Sequence, residues 1–198
     1  MTLRHNEIRD ITSKLLDEVC VNVRNEPNLL DLNGDEQMQH RTANRSKEAR
    51  LDISATGFWT PGQRAFFDIR VFDLDARRYR GLELSKCFRR NEEEKKRHYN
   101  ERVNIVEYGT FSPLVFSTNG GMGRECGIFY KRLSGMIAEK RGVSLQQSTK
   151  FIRSKISFSL LRSTLLCIRD SRSLWSREPQ SLNDIELSNS LSRVVSDD

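Results

Sequence analysis

A chain of 198 residues, 36% hydrophobic and 30% charged, is long enough for one domain with a real core plus an appendage, and too short for two full domains. Its cysteines (Cys20, Cys87, Cys126, Cys167) stand singly and its three histidines do not pair with them at ligand spacing, which excludes a disulfide framework and a zinc finger. No leader peptide and no apolar run long enough for a bilayer is visible, so the expectation is an intracellular protein, nuclear or cytoplasmic, with no membrane partner.

In HNEIRDITSKLLDEV, Ile8, Ile11, Leu15 and Val19 recur at three- and four-residue steps and predict a helix that starts almost at Met1. So abrupt a start fits a piece of a longer ancestral chain and fits a compact natural N-terminus equally well. Val19, Val21 and Val23 alternate with Cys20 and Asn22, predicting a strand that Pro27 ends. Residues 31–48 are polar and predict a loop. ARLDISA (49–55) and RAFFDIRVF (64–72) predict two strands joined at the Pro61-Gly62 turn. The stretch from Glu83 to Gly109 is dense in helix formers and ion-pairable charge, with Leu84, Phe88, Tyr99, Val103 and Val106 as sparse apolar contacts. It predicts a long, mostly exposed helix. TFSPLVFST reads as a strand and NGGMG as a turn into a helix over 124–140. A further helix is expected over 145–169, where Phe151, Ile152, Ile156, Leu160 and Leu161 recur at helical spacing. From Asp170 onward the chain is Ser-rich and acid-tipped, so residues 173–198 are expected to form a poorly packed, disordered tail beyond a domain over 3–172.

The net charge of +6 is unevenly placed. Arg124 to Arg172 holds eleven Lys or Arg against three acids, while Arg177 to Asp198 holds two against five. A basic face of this kind suits nucleic acid, with Arg124, Lys131, Arg132, Lys150, Arg153 and Lys155 as candidate contacts; a solvated helix surface is the plainer alternative.

Chemistry enters with two carboxylates set into apolar strands, Asp52 and Asp68. Strand interiors rarely spend such positions on an unpaired charge. Period two puts Asp68 and Arg70 on one face of FFDIRVF, and Asp52 and Ser54 on one face of LDIS. If the strands pair, the two acids converge, and hard oxygens at that range call for Mg²⁺ or Mn²⁺. Glu26, near the end of the first strand, is a third candidate ligand, with a structural role before Pro27 as the plainer reading. Lys95, Lys96 and Tyr99 in EKKRHYN offer basic and aromatic groups from the next helix; Lys96 and Tyr99, three apart, would share a face toward the carboxylates if that helix crosses the sheet edge, and Lys95 and Tyr99 would contact nucleic acid, with a salt-bridged solvent face set up by NEEEKK as the equal alternative. The glycines of STNGGMGRE could admit a phosphate to a helix N-terminus, though a plain turn is the commoner use. Trp59, Tyr79 and Tyr108 are candidates for base stacking or core packing.

The order helix, strand, strand with Asp52, strand with Asp68-Ile69-Arg70, helix, strand resembles the PD-(D/E)XK restriction-endonuclease-like superfamily. The resemblance implies an αβββαβ core with a mixed central sheet, here followed by two more helices. It further implies a Mg²⁺- or Mn²⁺-dependent endonuclease acting on nucleic acid, DNA above all. Asp52 would be the first acid and Asp68 the second, both as metal ligands. Arg70 departs from the usual lysine; it stays protonated and acts as an electrostatic clamp. Lys96 is then the second basic candidate. Whole phrases, among them HNEIRDITSKLLDEVC, ARLDISATGFW and SPLVFSTNGGMG, resemble uncharacterised domains of retroelement-derived reading frames, which implies an association with reverse transcriptase in a parent element and is compatible with a homodimer. The alternatives are a catalytically silent nucleic-acid-binding module and a protein-interaction module on the same fold.

Overall fold

The computed structural model describes residues 2–32 and 41–173, with side chains as far as Leu166. The chain divides into two compact units, Met1–Ser163 and Thr164–Asp198. Of the second, only residues 164–173 are described; Ser173, the first residue of the expected tail, ends a helix, and 174–198 lie outside the described residues. The elements are α1 (Thr2–Asp17), β1 (Val21–Asn25), β2 (Ile53–Thr56), β3 (Arg64–Phe72), α2 (Leu84–Ile105), β4 (Thr110–Ser117), α3 (Arg124–Arg141) and α4 (Leu145–Ser173), with a 3₁₀ turn at Arg77–Tyr79. This is an α/β arrangement of four helices and one open, mixed, four-stranded sheet in the order β1-β2-β3-β4. The first two pairings are antiparallel, and β3 with β4 is parallel, the connection between them carrying the crossover helix α2. Among the described residues no helix is long and apolar enough to cross a membrane.

Both faces of the sheet are covered, and β3 divides its side chains between them. Ala65, Phe67 and Ile69 pack with Ile8, Leu15 and Leu16 of α1, with Phe129, Leu133 and Ile137 of α3, and with Ile152, Ile156 and Leu160 of α4. Phe66 and Phe72 turn to the other face, where α2 supplies Val103 and Phe88. Asp68 and Arg70 lie between those two phenylalanines on the α2 face. The β2–β3 turn is pinned from below: Phe58 stacks on Phe129 with centroids 4.7 Å apart, and Trp59 donates its indole N–H to Ser112 Oγ at 3.1 Å. Positive φ at Gly57 and Gly62 gives the turn its shape.

Two strands differ from expectation. β1 is an edge strand with a register shift between Val21 and Arg24 and a left-handed Asn22 (φ 52°), so Val21 is exposed while Val19 and Val23 pack partly against the core. A bulge, not a regular alternation, accounts for this. β2 begins at Ile53, so Asp52 precedes the strand and does not sit in its middle. Leu51 belongs to the cluster beneath α2 and Ile53 to the cluster on the opposite face, which means the two-residue alternation breaks at Asp52.

Arg102 of α2 is completely buried and donates to three backbone carbonyls, Asn44 and Ser46 through Nη1 (2.9 and 2.7 Å) and Leu30 through Nη2 (2.8 Å). Those carbonyls belong to the polar connection between β1 and β2, whose backbone groups would otherwise have few partners. With the bridge Asn28–Arg50 and the Leu29 N–H to Ala49 bond (2.8 Å), this guanidinium fixes the connection against α2.

Candidate active site

Continuing the Ile53–Phe67 register by one residue sets Asp52 across from Asp68. At that point the ladder changes character. Asp52 Oδ2 accepts the backbone N–H of Ile69 at 2.6 Å, standing where a strand carbonyl would, and its own carbonyl accepts the Glu26 N–H at 2.8 Å. The same Oδ2 is 3.0 Å from Nε2 of His5, which α1 brings to the end of the sheet. The hydrogen bond to Asp52 raises the His5 pKa above its ordinary value, outweighing burial.

Asp68 is 7% exposed, and its carboxylate meets Lys95 of α2, with Nζ 2.6 Å from Oδ2. The contact is an ion pair rather than a well-directed hydrogen bond, so this buried oxygen lacks an aligned donor. Burial raises the Asp68 pKa from 3.8 to about 6; the Lys95 charge opposes the rise and the Asp52 charge adds to it. Lys95 also lies 5.7 Å over the Tyr99 ring, one turn along α2. The arrangement is therefore two carboxylates on neighbouring chain segments, each with a cationic or proton-bearing partner from a different helix.

The other residues singled out from the sequence lie elsewhere. Arg70 turns from Asp68 to Glu94, at 3.0 Å, and Glu94 also holds Arg78 at 3.4 Å. Lys96 points away from the carboxylates to Glu125 of α3, at 2.8 Å, because adjacent helix positions diverge by about 100° and Lys95 takes the inward phase. It is Lys95, not Lys96, that shares a face with Tyr99 and Asp68. The Glu26 carboxylate is turned to Arg9 and Arg50. Tyr99 packs on Phe111, and Tyr79 is buried with its hydroxyl donating to Asn91 Oδ1 at 3.0 Å, whereas Tyr108 is exposed. Arg132 is a structural clamp, donating to the carbonyls of Phe58 (2.6 Å) and Trp59 (3.1 Å). Lys131 is exposed on α3. Lys150, Arg153 and Lys155 lie on α4, which packs on the face of the sheet opposite α2.

The glycine turn before α3 takes no phosphate in this arrangement, because Glu92 of α2 already caps the helix: its Oε1 accepts the Glu125 N–H at 3.0 Å. A Cβ on Gly123 would stand 2.2 Å from that oxygen, so the glycine makes room for the cap. Arg124 borders the same recess with Lys96 and Glu92.

Sequence reasoning missed His5, Lys95 as the partner of Asp68, and the exposed arginines Arg77, Arg78 and Arg80 that Glu94 ties to the site through Arg78. Spacing could have found Lys95. It stands seven residues after Phe88 and four before Tyr99, on the apolar stripe of α2.

The buried Asp68 sets a stability prediction. Its folded pKa of about 6 exceeds the ordinary 3.8, so the folded state binds this proton more tightly, and stability falls as pH rises through that window. In EDTA at pH 7.5, Asp68→Asn is expected to gain about 1–2 kcal/mol. This lies below the upper bound of about 3 kcal/mol from the shift because Lys95 loses its partner. Urea unfolding of both proteins should show the gain shrinking toward pH 4, and a gain independent of pH would refute the assignment.

Comparison of the chain with protein-family models, with curated proteins and with solved structures finds no match. Among the described residues no group of three or more His, Cys, Asp or Glu side chains gathers as a metal site.

Proposed function

We propose that this chain is a nuclease-like domain with a restriction-endonuclease-like αβββαβ core, cleaving phosphodiester bonds of DNA with Mg²⁺ or Mn²⁺ and derived from a mobile genetic element. The observation that carries the reading is the pairing of Lys95 with the buried Asp68 opposite Asp52, which gathers two acids and one lysine from β3, α2 and the segment before β2. The element order and the parallel β3–β4 pair support it.

A divalent ion suits the donors present. Asp52 and Asp68 are hard oxygen ligands, Asp68 Oδ2 is a buried anion without an aligned donor, and the second oxygen of each carboxylate has no hydrogen-bond partner among the described residues. Bound there, the ion would supply Lewis acidity toward a phosphoryl oxygen and an activated water. His5 and the Ile69 N–H fix the orientation of Asp52. Lys95 brings a positive charge to the reacting phosphate and, unlike an arginine, is able to give up its proton. Arg70 and Arg78, joined by Glu94, extend positive charge from the site toward the exposed Arg77 and Arg80.

Supercoiled plasmid and single-stranded DNA incubated with Mn²⁺ or Mg²⁺ should be cut by the native chain and not by Asp68→Ala. Binding to duplex DNA should be salt-sensitive: neutralising about four phosphates predicts a loss of roughly 100-fold between 50 and 200 mM salt. Salt-sensitive binding without cleavage would make the chain a silent binding module, and neither result would leave the protein-interaction reading.

A further inference from the structure

Helix α4, 29 residues long, carries two apolar faces. One enters the core through Ile152, Ile156 and Leu160. On the other, Phe151, Phe158 and Leu161 are 43, 72 and 57% exposed. Their steps of seven and three residues are those of the a and d positions that pair two helices. From Leu145 to Ser163 the helix has Lys150, Arg153, Lys155 and Arg162 and not one acid.

The two flanks of this seam differ. Lys155 and Arg162 border a groove that also receives Glu7, Asp10 and Lys14 of α1, so two acids offset part of their charge. Lys150 and Arg153 stand beside Leu145, Phe158 and Leu161 on the outward surface of α4, where no described acid accompanies them.

We propose that this face of α4 docks an acidic amphipathic helix of a partner protein, its apolar residues on Phe158 and Leu161 and its carboxylates against Lys150 and Arg153. The seam is the narrow a/d stripe of a helix pair rather than the broader apolar face, 100° or more, of a globular or membrane-surface helix. A second copy of this helix would set four basic residues against four like charges. A polynucleotide would satisfy Lys150 and Arg153 but leave Phe158 and Leu161 in water. The surface is on the opposite side of the sheet from Asp68, so the inference does not depend on the nuclease reading.

The test uses the full chain and a fluorescent helical peptide of about three heptads with Leu at a and d and Glu at e and g. Anisotropy should report binding that Phe158→Asp weakens at least about tenfold, with an unchanged melting curve because Phe158 is mostly exposed. The double variant Lys150→Glu/Arg153→Glu should weaken it similarly and should bind the same peptide rewritten with Lys at e and g. Peptide binding indifferent to both variants would overturn the proposal. So would absent peptide binding, whether alone or together with Phe158-dependent cosedimentation with phosphatidylserine vesicles, capture of duplex DNA, or self-association in sedimentation velocity.

Discussion

Replacing Lys95 with alanine is expected to slow metal-dependent DNA cleavage at least about 100-fold, while Lys96→Ala leaves the rate within about twofold. The two lysines are neighbours in sequence and equal in charge, so composition and overall electrostatics do not separate them. Geometry does: Lys95 Nζ is 2.6 Å from Asp68 and Lys96 Nζ is 2.8 Å from Glu125. Because Asp68 is buried, losing Lys95 also removes the cation that contacts its carboxylate, and Lys95→Ala should raise its pKa further. The measurement is single-turnover cleavage at saturating Mn²⁺ across pH 6–9. Equal rates for the two variants would remove Lys95 from the mechanism, and a large loss for Arg70→Ala alone would return the role to β3.

Arg102→Ala should be the most damaging single change to the fold, costing about 3–5 kcal/mol. Three charge-assisted bonds to carbonyls disappear at once, and the acceptors at Leu30, Asn44 and Ser46 stay partly secluded from water. The void left by a fully buried guanidinium and its stem adds to the loss. Arg102→Lys should recover only part of it, since an ammonium cannot reach three carbonyls in a fixed fork. Urea denaturation of the three proteins tests the ranking; a loss under about 1 kcal/mol for Arg102→Ala would mean that the connection is held by other contacts.

Much of the secondary structure was legible because its periodicities are strong. Asp68 was legible for the same reason, as a charge between Phe67 and Ile69 stands out in an apolar strand. The break at Asp52 was not: Leu51 and Ile53 are both buried, on opposite faces, and two apolar residues flanking an acid look identical whether or not the strand turns over. The choice between Lys95 and Lys96 lay in the phase of α2, readable from Phe88, Tyr99 and Val103 but hidden when charge alone was followed. His5 was out of reach, since its contact with Asp52 spans 47 residues and depends on how α1 crosses the end of the sheet. Basic residues gathered by sequence window, such as Arg132 and Lys150, separate onto a structural clamp and an outward helix face once the chain is folded.

The pairing of β3 with β4 has a consequence for how the chain finds its native alignment. With helices on both sides, both faces of these two strands carry apolar side chains, and sliding one past the other by a residue would exchange phenylalanines, valines and leucines between two apolar layers with little to oppose it. Asp68 and Arg70 remove that ambiguity. A slipped β3 would thrust a carboxylate and a guanidinium among Leu15, Phe129 and Ile156, away from Lys95 and Glu94, a penalty of several kcal/mol for each unpaired ion. The charged groups of β3 thereby act as its alignment pins, and a variant in which Asp68 and Arg70 both become apolar should be the one that populates misregistered states.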